Sequence, residues 1–278
     1  MLGEPSESLL IPGDTPHQEM GELIFIGLGL YDEKDLTLRA VEEAKKCDVL
    51  FAEFYTSALR GTTLDRLKGM LGKDLLVLTR EDVEKGEMIL RESQSRRVGF
   101  LVAGDSMTAT THMDLRLRAA KQGIVTRVVH GVSILTAAAG LLGLQAYKFG
   151  RTVTIPFQEE RFKPTSPYEM FSQNRQAGLH TLILLDLKEG GKYMTANEAM
   201  RYLAEREEEM RFGTFRGDSL VCVLGRVGSS NPLVVAGRVT DMMNKDFGEP
   251  LHCLVLPGKL HFAEKDALVM LAGAPQDI

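Results

Sequence analysis

Three segments of the chain join an apolar run to glycine and small polar residues, a combination suited to ligand binding. They are residues 23–29, 98–105 and 125–133. Apolar runs of this kind are typical of strands buried on both faces of a parallel sheet. Glycine lets the backbone come close to a ligand, and the carboxylate of Asp105 is suited to ribose hydroxyls or a ligand ammonium. Because ligands bind at the carboxyl ends of such strands, the segments predict a site for a nucleotide-sized ligand.

Each motif has an alternative interpretation. Gly27-Leu28-Gly29 lacks the third glycine of the dinucleotide fingerprint, since Asp32 stands at that position. A tight turn explains these glycines as well as a ligand does. Asp105 is also suited to capping the helix that follows. The Gly131-Val-Ser133 segment, predicted to end an adjacent strand, favours the ligand interpretation.

Alternating strands and helices must position these residues. The strands are predicted at 23–26, 48–54, 74–78, 98–103 and 124–129. The helices are predicted at 62–71, 81–94, 110–122 and 133–144, after a first helix whose apolar face is Leu38, Val41 and Ala44. This rhythm predicts an α/β fold with a mainly parallel sheet and helices on both faces.

The second half predicts a different sheet. Strands are expected at 151–155, 181–187, 220–224, 233–239 and 251–256, and helices at 168–176, after a Thr195–Glu198 capping box, and at 263–271. No long helix separates the strands at 220–224 and 233–239, so a mixed sheet is expected. The charged stretch 205–211 is interpreted as a solvated face. The predicted organisation is a disordered or loosely attached extension at 1–20, an N-terminal α/β domain at 21–146 and a C-terminal α/β domain at 151–278.

Composition and missing motifs exclude several classes. The net charge of −5 over 278 residues argues against a nucleic-acid surface. The cysteines, Cys47, Cys222 and Cys253, are isolated, so buried free thiols in a reducing cytosol are expected rather than disulfides or a zinc ribbon. The sequence has no P-loop, no GxSxG and no histidine pair at metal-ligand spacing, so no metal is expected. Neither a membrane span nor a secretory signal is predicted, which indicates a cytoplasmic protein without a membrane partner.

Two further segments stay open on the residues alone. His252 lies in an apolar run, where a satisfied core histidine is the simpler interpretation. Tyr55-Thr56-Ser57 follows the second strand and is expected either to line the cleft or to form a solvated loop.

From about residue 22 to the C-terminus, the chain resembles the diphthine synthase family. That family is a branch of the tetrapyrrole-methylase-like (class III) S-adenosylmethionine-dependent methyltransferases. The resemblance is carried by residues 25–32, 53–57, 104–105, 109–112, 131–134, 180–186, 193–199 and 257–261. The stretches YMTANEA at 193–199 and PGKLH at 257–261 are specific to diphthine synthases, whereas the glycine motifs are shared more widely. The family often has proline after Gly-Asp, where this chain has Ser106.

The resemblance implies two α/β domains with S-adenosyl-L-methionine in the cleft between them, S-adenosyl-L-homocysteine as the product, and a homodimer. Carried over by position, the implied cofactor-binding residues are Leu30, Asp105, Thr108, Ser133, Ile134, Leu184, Val227 and His252. Leu185 is an alternative to Leu184. His252 gains a cofactor role only through this resemblance.

The implied reaction methylates the amino group of 2-(3-amino-3-carboxypropyl)-histidine on translation elongation factor 2. Three transfers give diphthine, in diphthamide biosynthesis. Positioning is the protein's main task, and no catalytic base is named because water accepts the proton. The alternatives are a tetrapyrrole or rRNA methyltransferase of the same fold, which the YMTANEA and PGKLH stretches disfavour, a nicotinamide-dependent oxidoreductase, and a non-enzymatic binding module.

Overall fold

In the computed structural model, two five-stranded sheets form the framework of the protein. The structure describes residues 21–160, 162–188 and 191–278, so the predicted extension at 1–20 lies outside the described residues. The strands of the first sheet are β1 (Glu22–Gly27), β2 (Val49–Glu53), β3 (Leu75–Leu78), β4 (Arg97–Val102) and β5 (Val125–Val129). Their order is β3-β2-β4-β1-β5, and each neighbouring pair is parallel. The prediction of a parallel sheet is confirmed.

Helices cover both faces of the first sheet. They are α1 (Leu38–Lys46), α2 (Leu64–Leu71), α3 (Arg80–Lys85), α4 (Glu87–Glu92) and α5 (His112–Lys121), and α6 (Ile134–Leu142) follows β5. Side chains alternate along β1, so Phe25 packs in the cluster that contains α4 and α5, and Ile24 packs in the cluster that contains α1 and α2. Burial on both faces explains why the inner strands β1, β2 and β4 are apolar along almost their whole length. The edge strands are only partly buried, as Leu76 on β3 and Val125 on β5 are about half exposed.

Two helix predictions for this half are wrong. The helix expected at 81–94 is broken at Gly86, which has a φ of 66° and separates α3 from α4. A Cβ there would lie 2.8 Å from the Leu115 side chain, so α5 also requires glycine at this position. In α1, the predicted apolar face is wrong at Leu38, which is 84% exposed, whereas Val41 is partly buried and Ala44 is fully buried. Ala40 and Glu43 complete the buried face. Glu43 is tolerated there because it pairs with arginines on β4 and β5.

The second sheet is mixed, as expected. Its strands are β6 (Val153–Ile155), β7 (Thr181–Leu185), β10 (Leu220–Gly225), β11 (Leu233–Arg238) and β12 (His252–Leu256), and β8 (Leu187–Lys188) pairs with β9 (Lys192–Tyr193) in a separate hairpin. The order is β11-β10-β12-β7-β6, with only β6 and β7 parallel among these pairs. Its helices are α7 (Ser166–Gln176), α8 (Ala196–Met210), α9 (Val239–Met242) and α10 (Phe262–Ala272).

The start of α8 is as predicted, and its charged end is solvated except at Arg206 and Glu207. Thr195 and Glu198 form the expected capping box. Arg206, however, is only 4% exposed. The Glu207 carboxylate accepts N–H bonds from residues 213–215 and pairs with the Tyr168 hydroxyl, so it fastens the loop after α8.

Helix α6 connects the two halves. Ala138 and Leu142 on α6 pack in one cluster with Cys222 on β10 and Leu268 on α10. The helix thus follows the last strand of the first sheet but is buried against the second. Cys47, Cys222 and Cys253 are buried and free, as expected.

Candidate active site

The three glycine-rich strand ends meet and interlock. Gly29 and Gly104 exchange backbone hydrogen bonds of 3.2 and 2.6 Å. A Cβ on Gly131 would lie 2.3 Å from the carbonyl oxygen of Gly104, and one on Gly27 would lie 2.5 Å from the Gly131 nitrogen. The glycines are therefore required by close approach of backbone to backbone. β4 and β5 are not neighbouring strands, because β1 lies between them, but their ends meet beyond the end of β1.

A cleft of about 600 Å³ opens above these strand ends and is roofed by the second half of the chain. This volume lies within the range of small-molecule sites, roughly 300–1,000 Å³. The lining includes every residue that the resemblance implies for the cofactor: Leu30, Asp105, Thr108, Ser133, Ile134, Leu184, Val227 and His252. Leu185 lines the cleft as well, so the choice between it and Leu184 stays open. Tyr55, Thr56 and Ser57 also line the cleft, which decides against a solvated loop.

Asp105 ties the ends of β4 and β5 together. Its Oδ1 accepts from the backbone N–H of Met107 at 3.0 Å and from the Thr108 hydroxyl at 3.2 Å. Its Oδ2 lies 2.7 Å from Nδ1 of His130 and accepts from the Gly131 N–H at 3.3 Å. Burial raises the pKa of Asp105, but the hydrogen bonds from Met107 and His130 outweigh burial and lower it overall, so the group is ionised. It does not cap α5, which begins at His112.

Ser133 and Ile134 place a helix N-terminus at the cleft. Ser133 is the N-cap of α6, and its Oγ accepts from the Leu135 N–H at 3.2 Å. The helix dipole makes this end of the cleft favourable for negative or electron-rich ligand groups.

His252 is a buried histidine with one unused donor. It is 7% exposed, and its Nδ1 accepts from the backbone N–H of Ala196 at 3.3 Å. Burial lowers its pKa, so the ring is neutral. Because Nδ1 accepts, Nε2 carries the proton, and that atom is buried without a partner. The core interpretation and the ligand interpretation are therefore compatible: the ring is packed, and it lines the cleft.

Sequence reasoning missed a set of charged residues in the lining and one residue beneath it. The charged residues are Arg60, Arg80, Glu84, Asp186 and Arg226. Glu53, fully buried at the end of β2, accepts from the N–H groups of Tyr55 at 2.9 Å and Thr56 at 3.0 Å and so shapes the loop that lines the cleft. A carboxylate that ends an apolar strand was the available signal for Glu53. Arg60 and Arg226 lie in loops, and Arg80 is the first residue of the short helix α3, so no periodic pattern marks them.

The described residues hold neither a metal-binding cluster nor a membrane-spanning helix. Within residues 21–160, 162–188 and 191–278, no three His, Cys, Asp or Glu side chains are grouped so as to hold a metal ion. Over the same part of the chain, every helix is too short or too polar to cross a membrane.

Comparisons with known proteins agree with this geometry. Residues 22–239 match the family of Tetrapyrrole (Corrin/Porphyrin) Methylases. The chain is 46% identical to the diphthine synthase of Methanothermobacter thermautotrophicus over 92% of its own length and 97% of the relative's. It is 46% identical to that of Methanocaldococcus jannaschii over 90% and 98%. A crystal structure of diphthine synthase superposes with a TM-score of 0.84 at 34% identity, over 92% of this chain and 97% of that one. The chain therefore belongs to the tetrapyrrole methylase family and, within it, to the diphthine synthases.

Proposed function

We propose that this protein transfers methyl groups from S-adenosyl-L-methionine to the amino group of 2-(3-amino-3-carboxypropyl)-histidine on translation elongation factor 2, giving diphthine. The observation that carries the proposal is the single cleft at the ends of β4, β1 and β5, which collects all the residues implied for the cofactor. The relatives reported above bear the diphthine synthase name. That name favours a protein substrate over a tetrapyrrole or ribosomal RNA, and methyl transfer over hydride transfer.

The residues of the cleft fit the proposed cofactor. Nε2 of His252 is a buried donor without a partner, which suits an adenine, ribose or carboxylate acceptor. Leu30, Leu184 and Val227 supply apolar walls, and the N-terminus of α6 at Ser133 supplies a favourable end for electron-rich groups. When bound, S-adenosyl-L-methionine supplies a methyl group on a sulfonium, which is already a good leaving group.

The chain's own contribution is positioning. The interlocked strand ends give the cleft a fixed floor, and the ionised Asp105 holds the loops after β4 and β5 in register. Alignment of the acceptor amine with the methyl group is worth up to about 7–11 kcal/mol of the barrier. The amine's proton passes to water, so no residue is assigned as a base. The second half of the chain covers the cleft, and its residues Leu184 and His252 help to exclude bulk water from the reacting groups.

The same proposal includes a cytoplasmic homodimer that acts on the elongation factor without a nucleic-acid or membrane partner. The resemblance to diphthine synthases supports the dimer. The exposed apolar side chains Tyr147, Phe262 and Met270, each more than 70% exposed, are consistent with a covered surface.

Mass spectrometry tests the proposal directly. Elongation factor 2 that carries the amino-carboxypropyl arm is incubated with the protein and S-adenosyl-L-methionine, and the modified peptide is analysed. The expected result is the addition of up to three methyl groups, absent when the cofactor is omitted. An unchanged peptide mass, from protein that binds S-adenosyl-L-homocysteine in a calorimeter, would contradict the proposed substrate.

A further inference from the structure

The cleft extends beyond the residues implied for the cofactor. In the first half of the chain, those residues follow β1, β4 and β5. The same cleft is also lined by Tyr55–Ser57 after β2 and by Arg80 after β3. In the strand order β3-β2-β4-β1-β5, β2 and β3 lie together on one side of the cofactor strands. The cleft thus has a second part, here named the β2–β3 end and defined by Tyr55, Thr56, Ser57, Arg60 and Arg80.

Two arginines give the β2–β3 end its chemical character. The guanidinium of Arg80 lies 5.3 Å from the centre of the Tyr55 ring, and that of Arg60 lies 5.3 Å from the centre of the Tyr193 ring. Stacking on an aromatic face restricts a guanidinium, so less freedom is lost when it binds a ligand. Arg60 also approaches Glu249 at 4.0 Å, but that carboxylate is 85% exposed, so the ion pair is weak. The cleft also carries carboxylates, since Glu84 follows Arg80 by one turn of α3 and Asp105 and Asp186 line the same space. The two stacked arginines therefore supply the positive charge of the β2–β3 end within a cleft that holds both signs.

We propose that Arg60 and Arg80 bind the carboxylate of the substrate's amino-carboxypropyl arm. This inference rests on the proposed function. A guanidinium matches a carboxylate through two parallel hydrogen bonds, which fix orientation as well as distance. In the substrate, the carboxylate is attached to the same carbon as the reacting amine, so a fixed carboxylate directs the amine along the floor of the cleft toward the cofactor strands.

The carboxylate is also the part of the arm that stays constant through the reaction sequence. Each methylation changes the bulk, and the last fixes a charge on the nitrogen, whereas the carboxylate keeps its shape and charge. Recognition by Arg60 and Arg80 therefore serves the first, second and third transfers alike. Recognition of the amine itself would differ at each step.

The cofactor has a carboxylate too, and its placement is the competing explanation. Arg226 is the arginine beside the cofactor residues, since it precedes Val227 and lines the cleft with His252. Arg80 begins α3, after β3. Arg60 follows β2, but the N–H of the adjacent Gly61 donates to the Tyr31 carbonyl oxygen at 2.8 Å, so Arg60 lies closer to the cofactor residue Leu30. The proposal predicts that both arginines affect the protein substrate and leave cofactor affinity unchanged, whereas, if Arg60 held the cofactor's carboxylate, its substitution would weaken that affinity.

The test uses Arg60→Gln, Arg80→Gln and the double variant, with Arg39→Gln as the matched control. Arg39 is exposed on α1 and is not part of the cleft lining. The KM for elongation factor 2 carrying the arm is measured at saturating S-adenosyl-L-methionine, and the Kd for S-adenosyl-L-homocysteine is measured by calorimetry. We expect KM to rise at least tenfold in each single variant and further in the double variant, with Kd within twofold of wild type. Arg39→Gln should match wild type in both measurements, and Arg80→Lys should recover only part of the loss, because lysine lacks the planar fork.

A small probe separates arm recognition from docking of the elongation factor. The modified histidine is prepared as a capped amino acid with its arm carboxylate free or as the carboxamide, and the inhibition constants of the two forms are compared. Wild type should prefer the carboxylate at least tenfold, and the double variant should lose this preference. Equal inhibition of wild type by the two forms, a KM no different from Arg39→Gln, or a loss of cofactor affinity as large as the rise in KM would each overturn the inference. If wild type methylates no elongation factor at all, the proposed function has failed instead, and the inference falls with it.

Discussion

Replacing Gly131 with alanine tests the interlocked floor of the cleft. The added Cβ would lie 2.3 Å from the Gly104 carbonyl oxygen and 2.9 Å from the Gly27 backbone. These neighbours are backbone atoms, and ordinary contact begins near 3.4 Å, so the strand ends must separate by about 1 Å. Overpacking of this kind costs about 1–3 kcal/mol. The Gly131 N–H also donates to Asp105, so the same displacement disturbs the loop after β4.

We expect Gly131→Ala to lower the free energy of unfolding in urea by about 2 kcal/mol and to weaken S-adenosyl-L-homocysteine binding at least tenfold by calorimetry. Gly140→Ala is the matched control, because Gly140 lies inside α6 and nothing stands within 4 Å of its Cβ position. Alanine should stabilise that helix by up to about 1 kcal/mol and leave binding unchanged. A Gly131→Ala protein with wild-type stability and wild-type affinity would refute the packing of the strand ends described above.

Three further predictions concern single polar side chains. His252→Asn keeps an acceptor near the position of Nδ1 and removes the Nε2 donor, so calorimetry should show about tenfold weaker S-adenosyl-L-homocysteine binding with little change in melting temperature. Asp105→Asn removes the carboxylate that pairs with His130 and places an amide N–H against other hydrogen-bond donors. The free energy of unfolding in urea should fall by about 1–3 kcal/mol, and S-adenosyl-L-homocysteine should bind more weakly. Wild-type values for both would contradict the role of Asp105 in joining the ends of β4 and β5. Burial raises the pKa of Glu264, but the His261 N–H and the Lys148 ammonium outweigh burial and lower that pKa to about 2. A depressed carboxylate pKa stabilises the fold above its unfolded value of about 4.5, by about 3 kcal/mol, and this stability is lost as the pH falls toward 2. Unfolding curves of Glu264→Gln should therefore vary less between pH 5 and pH 2 than those of wild type, and parallel curves would show that Glu264 carries none of this dependence.

The strand ends of the first sheet were predictable because their signals are local. Burial of a strand requires apolar residues along it, and close approach of the backbones at the strand ends requires glycine at positions 27 and 131. Both requirements can be seen in the sequence of a single segment. The same holds for the capping box at Thr195, which depends on residues only three positions apart.

Most of the wrong predictions depend on residues distant in sequence. Gly86 ends α3 in the left-handed conformation, which is a local signal, and the approach of Leu115 on α5 adds a distant reason for glycine there. The buried face of α1 includes Glu43 because arginines from β4 and β5 neutralise it there. Glu207 is withdrawn from solvent by a loop that returns only after α8 ends. The periodicity of apolar residues within one segment does not show which side chains from distant segments will pack or pair with it.

The residues of the candidate site also fall into those predictable from local sequence and those placed only by the tertiary fold. Asp105 and Ser133 follow glycine at strand ends and were visible from composition and position. Arg60 reaches the cleft from a loop and Arg80 from the first residue of α3, and the two stack on tyrosines that the tertiary fold brings to them. The lining residues at the strand ends are therefore predictable from local sequence patterns. The residues proposed to bind the substrate are brought to the cleft only by the tertiary fold.

The position of α6 has a consequence for how the protein melts. The first turn of this helix contributes to the ligand cleft, and its later turns are anchored in the apolar layer beneath the second sheet with α10. Loss of the second sheet strips α6 of its packing partners, and because α6 directly follows β5, it also frees the end of the first sheet. Heating should thus produce one cooperative calorimetric transition even without ligand, and a nick in the backbone near residue 150 should leave the two fragments associated.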